Sequence, residues 1–169
     1  TPPDIHIETS LTAQNSGIVT IALEHKTDQS RPLWLHFTIP ELKLDSLIEV
    51  NNLGALLHLD TLLINIGLVR LWEIGKLNDP YLCIIEIKDS PSSILYSKHE
   101  KLYFNTVTLL QEKDSIGQSF EFMLNGKKIY AQGANWIPMS PFGISHSETE
   151  YDSLLSLVLG SHCNMLRVW

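Results

Sequence analysis

Basic residues are scarce. Only 12 Lys and Arg stand against 19 Asp and Glu, a formal charge of -7. They form no stripe, and because phosphate binding needs clustered cations, the balance argues against nucleic acid as a partner. Cysteine is scarcer still: Cys83 and Cys163 lie far apart and show neither CxxC nor Cys/His metal spacing. The chain therefore predicts no metal site, no cofactor and no disulfide framework, and both cysteines are read as buried free thiols. No run approaches the ~18 uninterrupted apolar residues of a membrane helix, and no charged and apolar leader opens the chain, so no membrane partner is expected. No Asn-x-Ser/Thr sequon occurs, and the first residue is Thr1 rather than Met, as expected of a piece cut from something longer.

What remains is a chain of 169 residues with 44% hydrophobic content, enough for one domain, or one domain plus part of another. From Asp4 to about Glu112 it reads as short β runs. "DIHIET", "GIVTIALEH" and "LWLHFTI" alternate apolar and polar residues, the period of strands with one face in a core. "ALLHLDTLLINI", "PYLCIIEIK" and "EKLYFNTVTLLQE" continue the pattern. Asn15-Ser16-Gly17, Asn51-Asn52 and Asn78-Asp79-Pro80 punctuate it as turns. Some seven strands at this spacing predict an all-β immunoglobulin-like sandwich over residues 1–115, with Trp34 and Trp72 in its core. Ala55 to Ile66 has a helical alternative, against which its β-branched content and the alternation around His58 and Asp60 favour a strand.

After this stretch the pattern changes. "FEFMLNGKKIYA" holds two alternating runs around Asn125-Gly126, the strongest short signal for a tight hairpin. "GANWIP" comes next, and then "SETEYDSLLSLVLGSH". There Ser147 and Glu150 make a capping-box pair, Tyr151, Leu154, Leu155 and Val158 share one helical face, and Gly160 suits a C-terminal cap. The short apolar run "NMLRVW" completes the order strand, helix, strand of a parallel sheet. Two parallel strands need covering layers on both faces, so they are expected to belong to a larger assembly; if that assembly completes a (β/α)8 TIM barrel, residues 116–169 are its hairpin, first helix and first two strands, an incomplete barrel. Asn135 and Trp136 then end its first strand, and Arg167 and Trp169 end its second. That is the face on which barrel enzymes keep their active sites. Poor solubility of the isolated chain is expected from the uncovered apolar faces.

The run "FEFMLNGKKIYAQGANWIP", succeeded some way on by "NMLRVW", resembles the junction in glycoside hydrolase family 2 β-mannosidases at which the immunoglobulin-like domain enters the catalytic barrel. These motifs occur together and in order. "EKLYFNTVTLLQEKD" is similar to the last sandwich strand of the animal, lysosomal-type members. Upstream of Lys101 the likeness is to domain type, apart from Leu71-Trp72 and Pro80 to Leu82. The chain departs from the family at Gln132, where Lys is usual, at Asn105, where Arg is usual, and at Glu73, where a second Trp is usual. It departs again at Met139 to Phe142, where the family commonly continues Ala-Asp-Ser-Phe.

The resemblance implies a retaining β-mannosidase that hydrolyses terminal β-linked mannose of oligosaccharides and glycoprotein glycans in the lysosome, with secreted or cytoplasmic location left open. It implies two carboxylates about 5 Å apart around an oxocarbenium-like transition state. Catalytic residues are identified at no position here, because in the family both carboxylates come from later barrel strands, so the chain alone is expected to be inactive. Glu148, Glu150 and Asp152 read as first-turn charges complementing the helix dipole. The substrate-binding candidates are Trp169, Arg167, Trp136 and Asn135: an indole face suits the C–H face of a sugar, and a guanidinium binds hydroxyls through fixed donors. Each also has a structural reading, Trp136 and Trp169 as barrel packing, Arg167 as a core ion-pair member and Asn135 as a loop-orienting group. His146 and His162 read as solvated or capping residues rather than metal ligands. The expected partners are a β-mannoside oligosaccharide and the remainder of a parent polypeptide. Alternatives are a non-catalytic β-sandwich interaction or carbohydrate-binding module, or another family 2 glycosidase such as an endo-β-mannosidase, exo-glucosaminidase or β-galactosidase.

Overall fold

The computed structural model describes residues 4–25, 33–50, 58–76, 79–90, 92–137, 139–140 and 146–169. The expected turn at Asn51-Asn52, residues Ala55 to Leu57, Asn78 and Pro138 lie outside them. The chain divides into two compact units, Thr1–Thr106 and Val107–Trp169.

In the first unit, β1 (Asp4–Leu11) and β2 (Ser16–His25) form an antiparallel hairpin whose turn places Asn15 at φ 59. Strands β3 (Leu33–Ile39) and β4 (Leu44–Val50) are joined by a 3-10 turn, Pro40–Leu42, and by Lys43 at φ 52. Then come β5 (His58–Leu68), β6 (Tyr81–Ser90) and β7 (Ser93–Leu102). The strands make a three-stranded sheet, β1-β2-β5, and a four-stranded sheet, β4-β3-β6-β7. Strand β5 thus returns to β2 after two strands have been laid in the other sheet, and the ambiguous run from Ala55 is a strand from His58 onward.

One core joins the two sheets. Val19, Ile21 and Leu23 of β2 and Ile64 of β5 pack with Leu35, Phe37 and Ile39 of β3 and Cys83, Ile85 and Ile87 of β6. Each is the alternate residue of its strand, as period two requires. Complete burial of such a side chain stabilises by about 1.5–3 kcal/mol. A Cβ at Gly17 would stand 2.7 Å from Val69 and 3.0 Å from both Ile66 and Phe104, so the absence of a side chain there is what lets these residues close the end of the core. Tyr81 meets Phe104 edge-on at 5.9 Å, and its hydroxyl accepts the Arg70 N–H at 2.7 Å. The Arg70 guanidinium lies 4.4 Å over the Tyr81 ring and pairs with Glu41, whose carboxyl it holds below the usual range.

Three expectations are corrected. Trp34 is not core: it alternates with Leu35, Phe37 and Ile39 and so lies half-buried on the outer face of the sheet, and Trp72 is half-buried beside β7's exit, its N–H donating to the Phe104 carbonyl at 2.7 Å. "EKLYFNTVTLLQE" is not one strand. It breaks after Leu102, because Phe104 turns into the core and the Tyr103 carbonyl accepts the Thr9 hydroxyl at 2.7 Å. Only one thiol is buried: Cys83 is shut in the core, where burial and the Glu100 charge push it up to about 12, whereas Cys163 is half-buried.

The second unit begins with an antiparallel sheet, order β10-β9-β8, of β8 (Val107–Leu110), β9 (Glu121–Leu124) and β10 (Lys127–Ile129). The predicted Asn-Gly turn joins the last two, with Asn125 at φ 50 and Gly126 at φ 75, the two positive angles of a type I′ turn. The unit continues with β11 (Gly133–Trp136), α1 (Glu148–Gly160) and β12 (Met165–Val168), and β11 and β12 pair in parallel.

Two outcomes test this packing. Phe37→Ala removes a fully buried ring and is expected to lower unfolding stability by about 3–5 kcal/mol in a denaturant titration. In a thiol-reagent assay on the native chain, Cys163 reacts and Cys83 reacts only after denaturant is added.

Candidate functional site

The parallel pair is built around a glycine. A Cβ at Gly133 would overlap the Met165 carbonyl, so only a residue without a side chain lets β11 approach β12 at this register. Asn164 then ties the two strand entrances together. Its amide oxygen accepts the Gln132 N–H at 2.8 Å, its backbone N–H donates to the Gln132 carbonyl at 2.8 Å, and its side-chain N–H donates to the Tyr130 carbonyl at 2.9 Å. Neither this clamp nor its geometry was foreseen from the sequence. The available signal was an Asn, with a donor and an acceptor on one side chain, just ahead of an apolar strand.

The connecting helix starts as predicted. Glu150 accepts the Ser147 N–H at 2.8 Å and donates its own N–H to the Ser147 hydroxyl at 3.4 Å, closing the capping box. Ser147's backbone and hydroxyl hold the Glu150 carboxyl below its usual range, so this contribution is present at neutral pH and lost as pH falls through the lowered value. The first-turn acids are Glu148 and Glu150; Asp152 lies further in, which corrects one residue of the expected set. The far end is also corrected. Gly160 is still helical, Ser161 is the cap and His162 takes the left-handed turn at φ 60. His162 N–H donates to Leu159 at 3.0 Å and Cys163 N–H to Val158 at 3.3 Å, the paired closing bonds of a Schellman end. The capping role read for His162 is thus filled by its backbone.

The register pairs Asn135 with Arg167 and Trp136 with Val168. Asn135 and Arg167 share one face, where Arg167 Nη1 donates to Asn135 Oδ1 at 3.4 Å beside an open cleft of about 320 Å³. Gly133, Ala134 and Met165 also line it. Trp169, 71% exposed, follows the last residue of β12, and its N–H donates to the Trp136 carbonyl at 3.0 Å. Trp136 points the other way, stacked on Tyr151 of the helix with centroids 6.4 Å apart and planes 21° apart. Tyr151 in turn meets the edge of His146, whose Nδ1 is 3.7 Å from Glu150. Asn135 and Arg167 are thus brought together at the cleft, Trp169 is exposed just beyond the end of β12, and Trp136 belongs to the strand–helix packing.

The donors around the cleft are neutral amides and a guanidinium, suited to hydroxyl groups rather than to a cation. Among the described residues, no group of three or more His, Cys, Asp or Glu is placed to hold a metal ion, and no helix is long and apolar enough to cross a membrane. Replacing Gly133 with Ala is expected to separate β11 from β12. Hydrogen exchange of the Trp169 amide would accelerate in that variant while core amides of β3 and β6 keep their protection.

Comparison with family models finds no match. Among curated proteins, the chain is 34% identical over 100 residues to β-mannosidase of Bos taurus, covering 58% of this chain and 11% of that protein. It is 40% identical over 74 residues to β-mannosidase of Mus musculus, covering 43% and 8%. The chain thus spans about a tenth of the length of these relatives. Among solved structures, the β-D-mannosidase of Dictyoglomus thermophilum matches with a TM-score of 0.76 at 22% identity, covering 98% of this chain and 21% of that one, a likeness of fold. The relatives similar in sequence are glycosidases, and together with the fold they support the resemblance to a fragment of a family 2 β-mannosidase.

Proposed function

We propose that the chain is the part of a retaining β-mannosidase in which an immunoglobulin-like sandwich, residues 1–115, leads into the opening of a (β/α)8 catalytic barrel, residues 116–169. In this reading the parent enzyme hydrolyses terminal β-D-mannose in the lysosome. The observation that carries it is the parallel β11-α1-β12 unit with Asn135 and Arg167 joined at the strand ends and Trp169 exposed just beyond them. Arg167, steadied by Asn135, donates to ring hydroxyls, and the Trp169 indole offers an apolar platform to the sugar. Trp136 contributes from behind, holding the strand end against Tyr151. The two catalytic carboxylates belong to strands later than Trp169, and the isolated chain is inactive.

The apolar surface of the second unit agrees with this reading. Ile137, Leu157, Leu159, Val168 and Trp169 are each 65–72% exposed, apolar surface that the later barrel strands and helices would cover in this reading. The competing readings, another family 2 glycosidase or a non-catalytic sandwich module, require a different sequence downstream of Trp169.

The test is to read the transcript past Trp169 and assay the longest product on a chromogenic β-mannoside. Hydrolysis by that product, none by the 169-residue chain, and self-association of the chain at low micromolar concentration are the expected results. A full-length product that cleaves β-galactoside or β-glucosaminide instead, or a stop codon after Trp169 with a soluble, cooperatively melting chain, overturns the proposal.

A further inference from the structure

On the outer face of the four-stranded sheet, His36 stands between two carboxylates. Its Nδ1 is 2.9 Å from Glu86 Oε2 on β6, and its Nε2 is 2.8 Å from Asp45 Oδ1 on the edge strand β4. A neutral imidazole carries one N–H and one lone pair, so one of these contacts would set lone pair against carboxylate; only the doubly protonated ring donates to both. A third group waits beside it: the Thr38 hydroxyl is 3.4 Å from Nε2, able to donate to that nitrogen once it has lost its proton.

We propose that His36 is a proton-operated clasp on this sheet. Protonated, it ties edge strand β4 to β6 across β3; when Nε2 gives its proton to solvent, Asp45 is released and Thr38 takes its place, while Nδ1–H stays on Glu86. The surrounding charges fit these roles. From β6, Lys88 Nζ lies 3.0 Å from the same Glu86 oxygen and anchors that carboxylate in either state. From β4, Glu49 faces Trp34, and Asp45 is 72% exposed, so its release strands no buried charge. From β7, His99 lies beyond Ile84 and Lys101 beyond Leu82, each one strand removed from the ring. The hydrogen bonds to Glu86 and then Asp45 raise the His36 pKa, with burial and Lys88 opposing. The stabilisation is therefore complete below the ordinary histidine value near 6.5 and is lost as pH rises through the higher folded value. The clasp therefore tightens the sheet at pH values above the titration of its carboxylates and below that of the ring. The inference rests on the sheet alone and stands whichever glycosidase the chain comes from.

The direct test is ring-nitrogen NMR, between about pH 5 and 9, of the longest product that continues past Trp169, labelled at histidine only. Both His36 nitrogens are expected to stay protonated past about pH 6.5, and the ring then to deprotonate at Nε2. Titration at or below the ordinary value, or loss of the Nδ1 proton instead, overturns the proposal. Thermal melts at low protein concentration read the same device. From acid to alkaline pH, wild type is expected to lose roughly 2–4 °C more than His36→Asn does. Parallel pH profiles for the two would overturn it. Asp45→Asn should flatten the profile while Glu49→Gln leaves it as in wild type, and equal effects of the two would reduce the clasp to general surface charge.

Discussion

Successive residues of a strand must face opposite ways, and nearly every other feature of the molecule depends on which parity each strand gives to which side. On β3 the odd residues Leu35, Phe37 and Ile39 go into the core, and that choice forces Trp34, His36 and Thr38 outward. The same rule on β12 sends Arg167 one way and Val168 the other, so that Asn135 and Arg167 meet at the cleft while Trp136 is left to the helix. Core, clasp and candidate site are three results of one alternation.

Features written in adjacent residues were legible beforehand. The Asn125-Gly126 turn and the Ser147/Glu150 box each depend on a few neighbouring groups, and both stand as read. The parity that excludes Trp34 from the core is also visible in "LWLHFTI", where aromatic size argues for burial and position argues against it; position wins. The break between Leu102 and Val107 could not be read locally. It is imposed by Thr9, far away in sequence, and by a Phe that turns inward.

At the candidate site the sequence pointed to the right strand ends but not to their partnership. That Asn135 faces Arg167 depends on the parallel register, which is set by the Gly133 backbone contact and the Asn164 bonds, neither of which has a spacing signature. The left-handed cap fell on His162 rather than Gly160 for a similar reason: the next strand must begin at Met165, and chain geometry outweighs the preference for glycine.

The order in which the sandwich strands occur along the chain has a consequence for synthesis. A polypeptide emerges N-terminus first, and the β1–β2 hairpin appears with Ile5, Val19, Ile21 and Leu23 all on one side. Its sheet partner β5 and much of its facing layer, including β6, come many residues later. Until then the nascent hairpin presents a greasy ribbon with a free edge, the sort of surface that chaperones recognise and that neighbouring ribosomes on one message bring close together. Slow passage through residues 26–80 would lengthen that exposure, so the rate of translation over this stretch bears directly on how much chain reaches the folded state.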